Sequence, residues 1–225
     1  MKRLIAISLI FTTVLILGQL LHDRTEFAAS QQSPACPRRP EVSVASPRVV
    51  IINDECTGFI LADGYVGTAN HCMEPAEKNV LGDKQTVTFF DGSKEVFTLI
   101  AKGNADEKDY ALLRGSTHGI APSPVAMLSP AVDGVVRAVG YGGGDRGLNT
   151  LHMTVGAYEG EYEGYMKSAI VVLPGDSGGP LLDEEGNICG INVRTGYPIP
   201  IGLSVKAFYL VQAMVNYEKG NGSGR

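Results

Sequence analysis

From Arg48 onward the chain is written in short apolar, β-branched runs cut by turn pairs, and this rhythm limits the fold more than any other feature. "RVVII", "GFILADGYVGTA" with Asp63-Gly64 at its centre, "QTVTFFDGSKEVFTLIA" with Asp91-Gly92, "GVVRAVGYGGG" and "LLDEEGNICGINV" follow one another at fairly regular spacing. Such runs, separated by Gly-containing turns, read as the strands of an all-β sandwich or barrel. A parallel sheet would need helical segments between the strands, and none is visible. One helix is expected at the end, where Phe208, Val211 and Val215 with Leu210 and Met214 have helical spacing and Ser204 can cap them. A chain of 225 residues, 44% of them hydrophobic, is long enough for one domain with a real core. No solenoid-type repeat is present.

The two ends differ from this texture. Lys2 and Arg3 precede an uncharged stretch from Leu4 to Leu21, followed by His22, Asp23 and Arg24. Residues 1–21 therefore read as a signal peptide or a membrane anchor, and the positive flank would export the remainder. The best small-residue cleavage site, Ala28-Ala29-Ser30, lies rather far downstream. Residues 22–47 are polar and Pro-rich, a linker, and residues 218–225 end in "GNGSGR", a flexible tail. Export places Cys36, Cys56, Cys72 and Cys189 in an oxidising space, where disulfides persist. A net charge of -5 without any Lys/Arg run argues against nucleic acid as the main partner. Membrane contact would run through the N-terminal segment if it is not cleaved.

Within the β region, "PGDSGGP" surrounds Ser177 with glycines and closes with prolines. Gly and Pro punctuate turns for reasons unrelated to catalysis, so the rest of the chain decides whether Ser177 is a nucleophile. The G-x-S-x-G match to the α/β-hydrolase elbow fails, because that fold needs its histidine after the serine. His22, His71, His118 and His152 all precede Ser177. The order His, Asp, Ser on different strands of a β-barrel fold is the alternative. His71 ends "GYVGTANHC" and Asp109 opens "DYALL".

Together these three stretches resemble the signatures of chymotrypsin-like serine proteases, T-A-A-H-C, D-[IL]-A-L-L and G-D-S-G-G-P. "GDSGGPLLDEEGNICGINV" followed by "IGLSVKAFYL" looks most like the HtrA type, and the resemblance covers roughly residues 48–217. It implies two six-stranded antiparallel β-barrels with a C-terminal α-helix, and a serine endopeptidase acting on protein or peptide substrates without cofactor or metal. Ser177 is implied as nucleophile, His71 as its base and Asp109 as the group that orients the imidazole. The Gly175 and Ser177 N–H groups are implied as the oxyanion hole. The resemblance implies a disulfide between Cys56 and Cys72, which stand at the interval by which the family ties its histidine loop. Cys189 falls on the strand leading to Gly190 and is expected as a buried free thiol, and Cys36 in the linker as free or intermolecular. The resemblance also implies that the pocket for the residue before the cleaved bond is lined by Val171, Val172, Val193 and Gly202. These are uncharged, and Asn192 stands where glutamate-specific relatives carry histidine, so small or medium apolar residues are the expected preference.

Two departures stand out. A PDZ module is not expected in this sequence, and the Cys72 loop and Asp176 resemble the trypsin branch more than HtrA. Val193 also falls where the family has a Ser or Thr that bonds the catalytic aspartate, so the backbone around Asn70 is the expected substitute. "SPRVVII" looks like a zymogen cleavage site, but Val49 lies too close to Cys56 for that and is expected to open the first strand. Asp106 lacks the apolar strand that follows Asp109. His118 and His152 read as ordinary loop and strand residues, and Arg194 as a cleft-lining or solvated side chain. A zinc site from His71 and Cys72 is disfavoured, since sequence neighbours rarely face one ion. The rival function is a catalytically silent pseudoprotease that keeps the barrel as a protein-binding module.

Overall fold

A computed structural model describes residues 48–73, 80–104, 107–143, 150–196 and 201–222. Residues 1–47, with the expected leader, the linker and Cys36, lie outside these, as does Asp106. Six strands build a first closed barrel: β1 Val49–Ile52, β2 Cys56–Ala62, β3 Tyr65–Thr68, β4 Lys84–Thr88, β5 Lys94–Lys102 and β6 Ala111–Arg114. They pair in the order β1-β2-β3-β6-β5-β4, and β4 returns to β1 to close the ring. A second closed barrel uses β7 Val135–Gly140, β8 His152–Tyr162, β9 Tyr165–Ser168, β10 Pro180–Leu182, β11 Ile188–Gly196 and β12 Ile201–Lys206. Its order, β10-β11-β12-β9-β8-β7, repeats the topology of the first without a visible sequence repeat.

Alternation explains the closure. On β5, Phe97 and Leu99 are fully buried while Val96 between its neighbours is 63% exposed, the period-two pattern of a strand with one face in a core. Ile60, Val66 and Leu113, in register with Leu99, share that interior face with Val87, while Phe59 and Leu112 are buried on the opposite face of the barrel wall on either side of Gly67. Burying an aliphatic or aromatic side chain of this size contributes roughly 1.5–3 kcal/mol. The turn pairs behave as read: Asp63-Gly64 joins β2 to β3, and Asp91 in the β4–β5 turn accepts hydrogen bonds from the Ser93 N–H and hydroxyl. Val49 is buried and paired with Phe59, so the segment after Arg48 is the first barrel strand.

The C-terminal helix, α1, runs Phe208–Gly222. Three expectations about it change. Ser204 does not cap it; β12 continues past that residue, and the buried Ser204 hydroxyl donates to Asn192 Oδ1 at 3.1 Å. The helix also extends to Gly222, into the stretch read as a tail. Of the five expected positions, Leu210, Val211 and Met214 pack against the core together with Ala213 and Tyr217, whereas Phe208 and Val215 are exposed. The helix packs on β5 and β6, where Tyr209 stacks on Tyr110. Among the described residues, no helix is long and apolar enough to cross a membrane.

Candidate active site

β3 and β6 are antiparallel neighbours with Thr68 opposite Ala111. Continuing that ladder beyond both strand ends brings the 3-10 turn Asn70–Cys72 over the residues just before β6. Register alone therefore carries His71 to Asp109. His71 Nδ1 lies 2.6 Å from Asp109 Oδ2, and the His71 backbone N–H donates to Asp109 Oδ1 at 3.0 Å. Asp109 is 2% exposed and His71 stands at the surface. A carboxylate only accepts, so Nδ1 carries the proton and the Nε2 lone pair is left for another partner. The extra donor expected from the backbone around Asn70 is the N–H of His71 itself.

The loop carrying Ser177 enters β10 on the second barrel and is pinned from both sides. On its own barrel, the Gly178 N–H donates to the Asn192 carbonyl at 2.7 Å, and the Asn192 N–H returns to Gly179 at 2.9 Å. From the first barrel, the Thr57 N–H donates to the Ser177 carbonyl at 2.9 Å. The Thr57 hydroxyl, completely buried, donates to the Gly175 carbonyl at 2.6 Å and accepts the Tyr141 N–H at 3.0 Å. Thr57 follows Cys56, which is joined to Cys72 by a disulfide with Cα atoms 5.9 Å apart. Cys72 Sγ in turn sits 3.6 Å from the Ser177 carbonyl. The histidine turn and the serine loop thus meet at one corner. The two sulfurs lie within 4.8 Å of a His71 ring nitrogen, but bonded to each other they offer no thiolate to a metal.

Leu173 to Asp176 form a turn closed by the Asp176 N–H on the Leu173 carbonyl at 2.9 Å, with Pro174 and Gly175 at its centre. Gly175 has φ +96°, which together with Pro174 is the pattern of a type II turn and the reason glycine stands there. The Pro174 carbonyl accepts the Gly143 N–H at 3.1 Å. Across a trans peptide the Gly175 N–H then points the opposite way. A Cβ on Gly178 would stand 2.1 Å from Thr68 Oγ1, so the residue after Ser177 has no room for a side chain.

Among the pocket candidates, Val172 and Gly202 come together: a Cβ on Gly202 would lie 3.3 Å from Val172 Cγ2. Val171 is 40% exposed, and Val193, at the bulge where β11 shifts against β12, packs into the main core. Asn192 is fully buried, its side chain on Ser204 and the Pro180 carbonyl. Arg194 is exposed with its guanidinium 5.6 Å from the Tyr165 ring centre. His118 pairs with Glu95 and meets the Phe89 ring edge-on. Cys189 is a buried free thiol, as expected.

Two residues were not singled out by sequence reasoning. Thr57 carried no motif, although its place next to a motif cysteine was a signal. His152, read as an ordinary strand residue, contacts buried Asp176, with Nε2 3.2 Å from Oδ2.

A family model described as a trypsin-like peptidase domain matches residues 56–191. A probable periplasmic serine endoprotease DegP-like of Chlamydia trachomatis serovar D is 28% identical over 178 residues, covering 66% of this chain and 31% of that protein. Serine protease HTRA1 of Xenopus tropicalis is 25% identical over 160 residues, covering 68% of this chain and 32% of that protein. This chain spans about a third of the length of these curated relatives. The crystal structure of the serine endoprotease from Yersinia pestis matches with a TM-score of 0.66 and 21% identity, over 81% of this chain and 68% of that one; at this identity the likeness concerns the fold.

Proposed function

We propose, from the premise that this chain belongs to the trypsin-like peptidase family, that it is a serine endopeptidase of proteins working outside the cytoplasm. The observation that carries the reading is the His71–Asp109 contact at 2.6 Å beside the clamped loop of Ser177. Ser177 Oγ attacks the substrate carbonyl while His71 Nε2 takes its proton. Asp109 holds the tautomer and stabilises the imidazolium. The Gly175 and Ser177 N–H groups receive the oxyanion, each such donor contributing ~3 kcal/mol to the transition state. His71 then gives its proton to the leaving amine, and water resolves the acyl-enzyme by the same route. Both described hydrogen bonds of His71 go to Asp109; the one to Ser177 Oγ closes when substrate arrives, as is common for catalytic contacts that are long without substrate. Val172 and Gly202, with Val171 at the rim, form an uncharged pocket wall, and Val193 contributes from the core behind it. Each aliphatic contact gives ~1–3 kcal/mol, enough for preference among apolar residues but not strict selection. The Cys56–Cys72 bridge and the leader-like N-terminus support the extracytoplasmic location. Incubation with an unfolded protein tests the reading: the wild-type chain should cut it and Ser177→Ala should not. No cutting by the folded wild type would favour the silent binding barrel instead.

A further inference from the structure

Asp176, immediately before Ser177, is 2% exposed and sits in a compartment emptied by glycines. A Cβ on Gly140 would stand 2.3 Å from its Oδ1, and one on Gly142 2.7 Å. Oδ1 accepts the Gly142 N–H and Oδ2 the Leu173 N–H, both at 2.9 Å. These bonds tie the start of the type II turn to the segment after β7. A carboxylate buried this deeply needs a counter-charge as well as donors. His152 opens β8 opposite Gly140 and supplies it, Nε2 to Oδ2 at 3.2 Å.

We infer that His152 is a positioning residue for the reaction, whose imidazolium locks Asp176 and so holds the Gly175 and Ser177 N–H groups in their productive direction, loosening them when it loses its proton. This rests on the serine endopeptidase reading. The hydrogen bond to Asp176 raises the His152 pKa most; burial opposes it, and the Asp176 charge and a Thr150 backbone hydrogen bond raise it further. Two acceptors on one ring are satisfied together only by the doubly protonated form.

The surroundings leave Asp176 in control. β7 presents Gly140, and its Arg137 guanidinium is engaged by the Asp183 and Glu184 carbonyls. The next segment brings Tyr141, whose phenol is kept protonated by burial. β2 brings the uncharged Thr57. Among the described residues, Asp176 is the one charge that acts on the ring. Because the folded pKa is raised, the lock is fully present below about pH 6.5, the ordinary histidine value, and is lost as pH climbs through the raised value.

The test is kcat and KM of the full chain on an apolar peptide from pH 6 to 10, with NMR titration of His152 and of the Gly175 amide. The wild type should lose kcat, not gain KM, with the midpoint of the His152 signal. His152→Gln should lower kcat about tenfold or more at pH 7 and erase that limb, short of the loss of a whole oxyanion donor. His152→Lys should restore kcat and move the limb upward. A merely structural histidine would lower stability and leave the pH profile in place. An unchanged alkaline limb in His152→Gln, or a Gly175 amide indifferent to the His152 titration, would overturn the inference. A chain that hydrolyses nothing would sink the endopeptidase reading, while the Gly175 titration would still decide the lock.

Discussion

Replacing Thr57 by valine keeps the shape of the side chain and removes one hydroxyl. That hydroxyl serves two partners in different places, donating to Gly175 and accepting from the Tyr141 N–H, in a site with no solvent access. Each buried group left without its partner costs about 1–3 kcal/mol. Thr57→Val should therefore lose about 2–4 kcal/mol of unfolding free energy, since some relaxation is available to both loops. Part of the loss falls on the turn that aims the Gly175 N–H. At 1.4 kcal/mol per tenfold, a loss of one to two such increments there lowers kcat by about 10–100-fold. The Thr57 N–H still holds the Ser177 carbonyl at 2.9 Å, so the nucleophile stays in place and KM should change little. Thr57→Ser, which restores the hydroxyl, should stay close to wild type. Urea unfolding and steady-state kinetics on one peptide measure both quantities. A Thr57→Val protein with wild-type kcat and midpoint would refute the idea that this residue clamps the serine loop across the barrels.

Removing the bridge with Cys56→Ala and Cys72→Ala together should cost on the order of 3 kcal/mol, from loop-closure entropy over 16 residues; an unchanged denaturation midpoint would contradict this. Burial pushes the Cys189 thiol up to about 12, so in native protein it should resist iodoacetamide at pH 8 and react only after unfolding. Rapid native labelling of Cys189 would show that β11 opens there. A peptide library should show cleavage after Val, Ala or Leu; dominant cleavage after Arg, Lys or Glu would mean that the pocket does not lie at Val172 and Gly202.

What could be read from sequence was local. Strand texture and the turn pairs at Asp63 and Asp91 occupy short windows and pointed to an all-β sandwich or barrel, while the double barrel and the placing of His71 beside Asp109 were implied only by the family resemblance that the three short motifs carry. Interactions set by tertiary register were not legible. Thr57 and Gly175 are 118 residues apart, and His152 and Asp176 sit on different segments of one barrel, 24 apart. No periodicity links them. Ser204 was misread for a related reason. Serine favours helix caps, but β11 places Asn192 opposite it and draws the hydroxyl into the sheet. On α1 the apolar set was legible, but only the position of β5 and β6 decides that Leu210, Val211 and Met214 turn inward while Phe208 and Val215 stay exposed.

The central claim, that Ser177 is a nucleophile activated by His71, is tested most directly by labelling the folded chain with a fluorophosphonate and locating the adduct by mass spectrometry. The account predicts one adduct per chain on Ser177, absent in Ser177→Ala and strongly slowed in His71→Ala. A folded wild-type chain that takes no label, or a His71→Ala chain that labels at the wild-type rate, would contradict it.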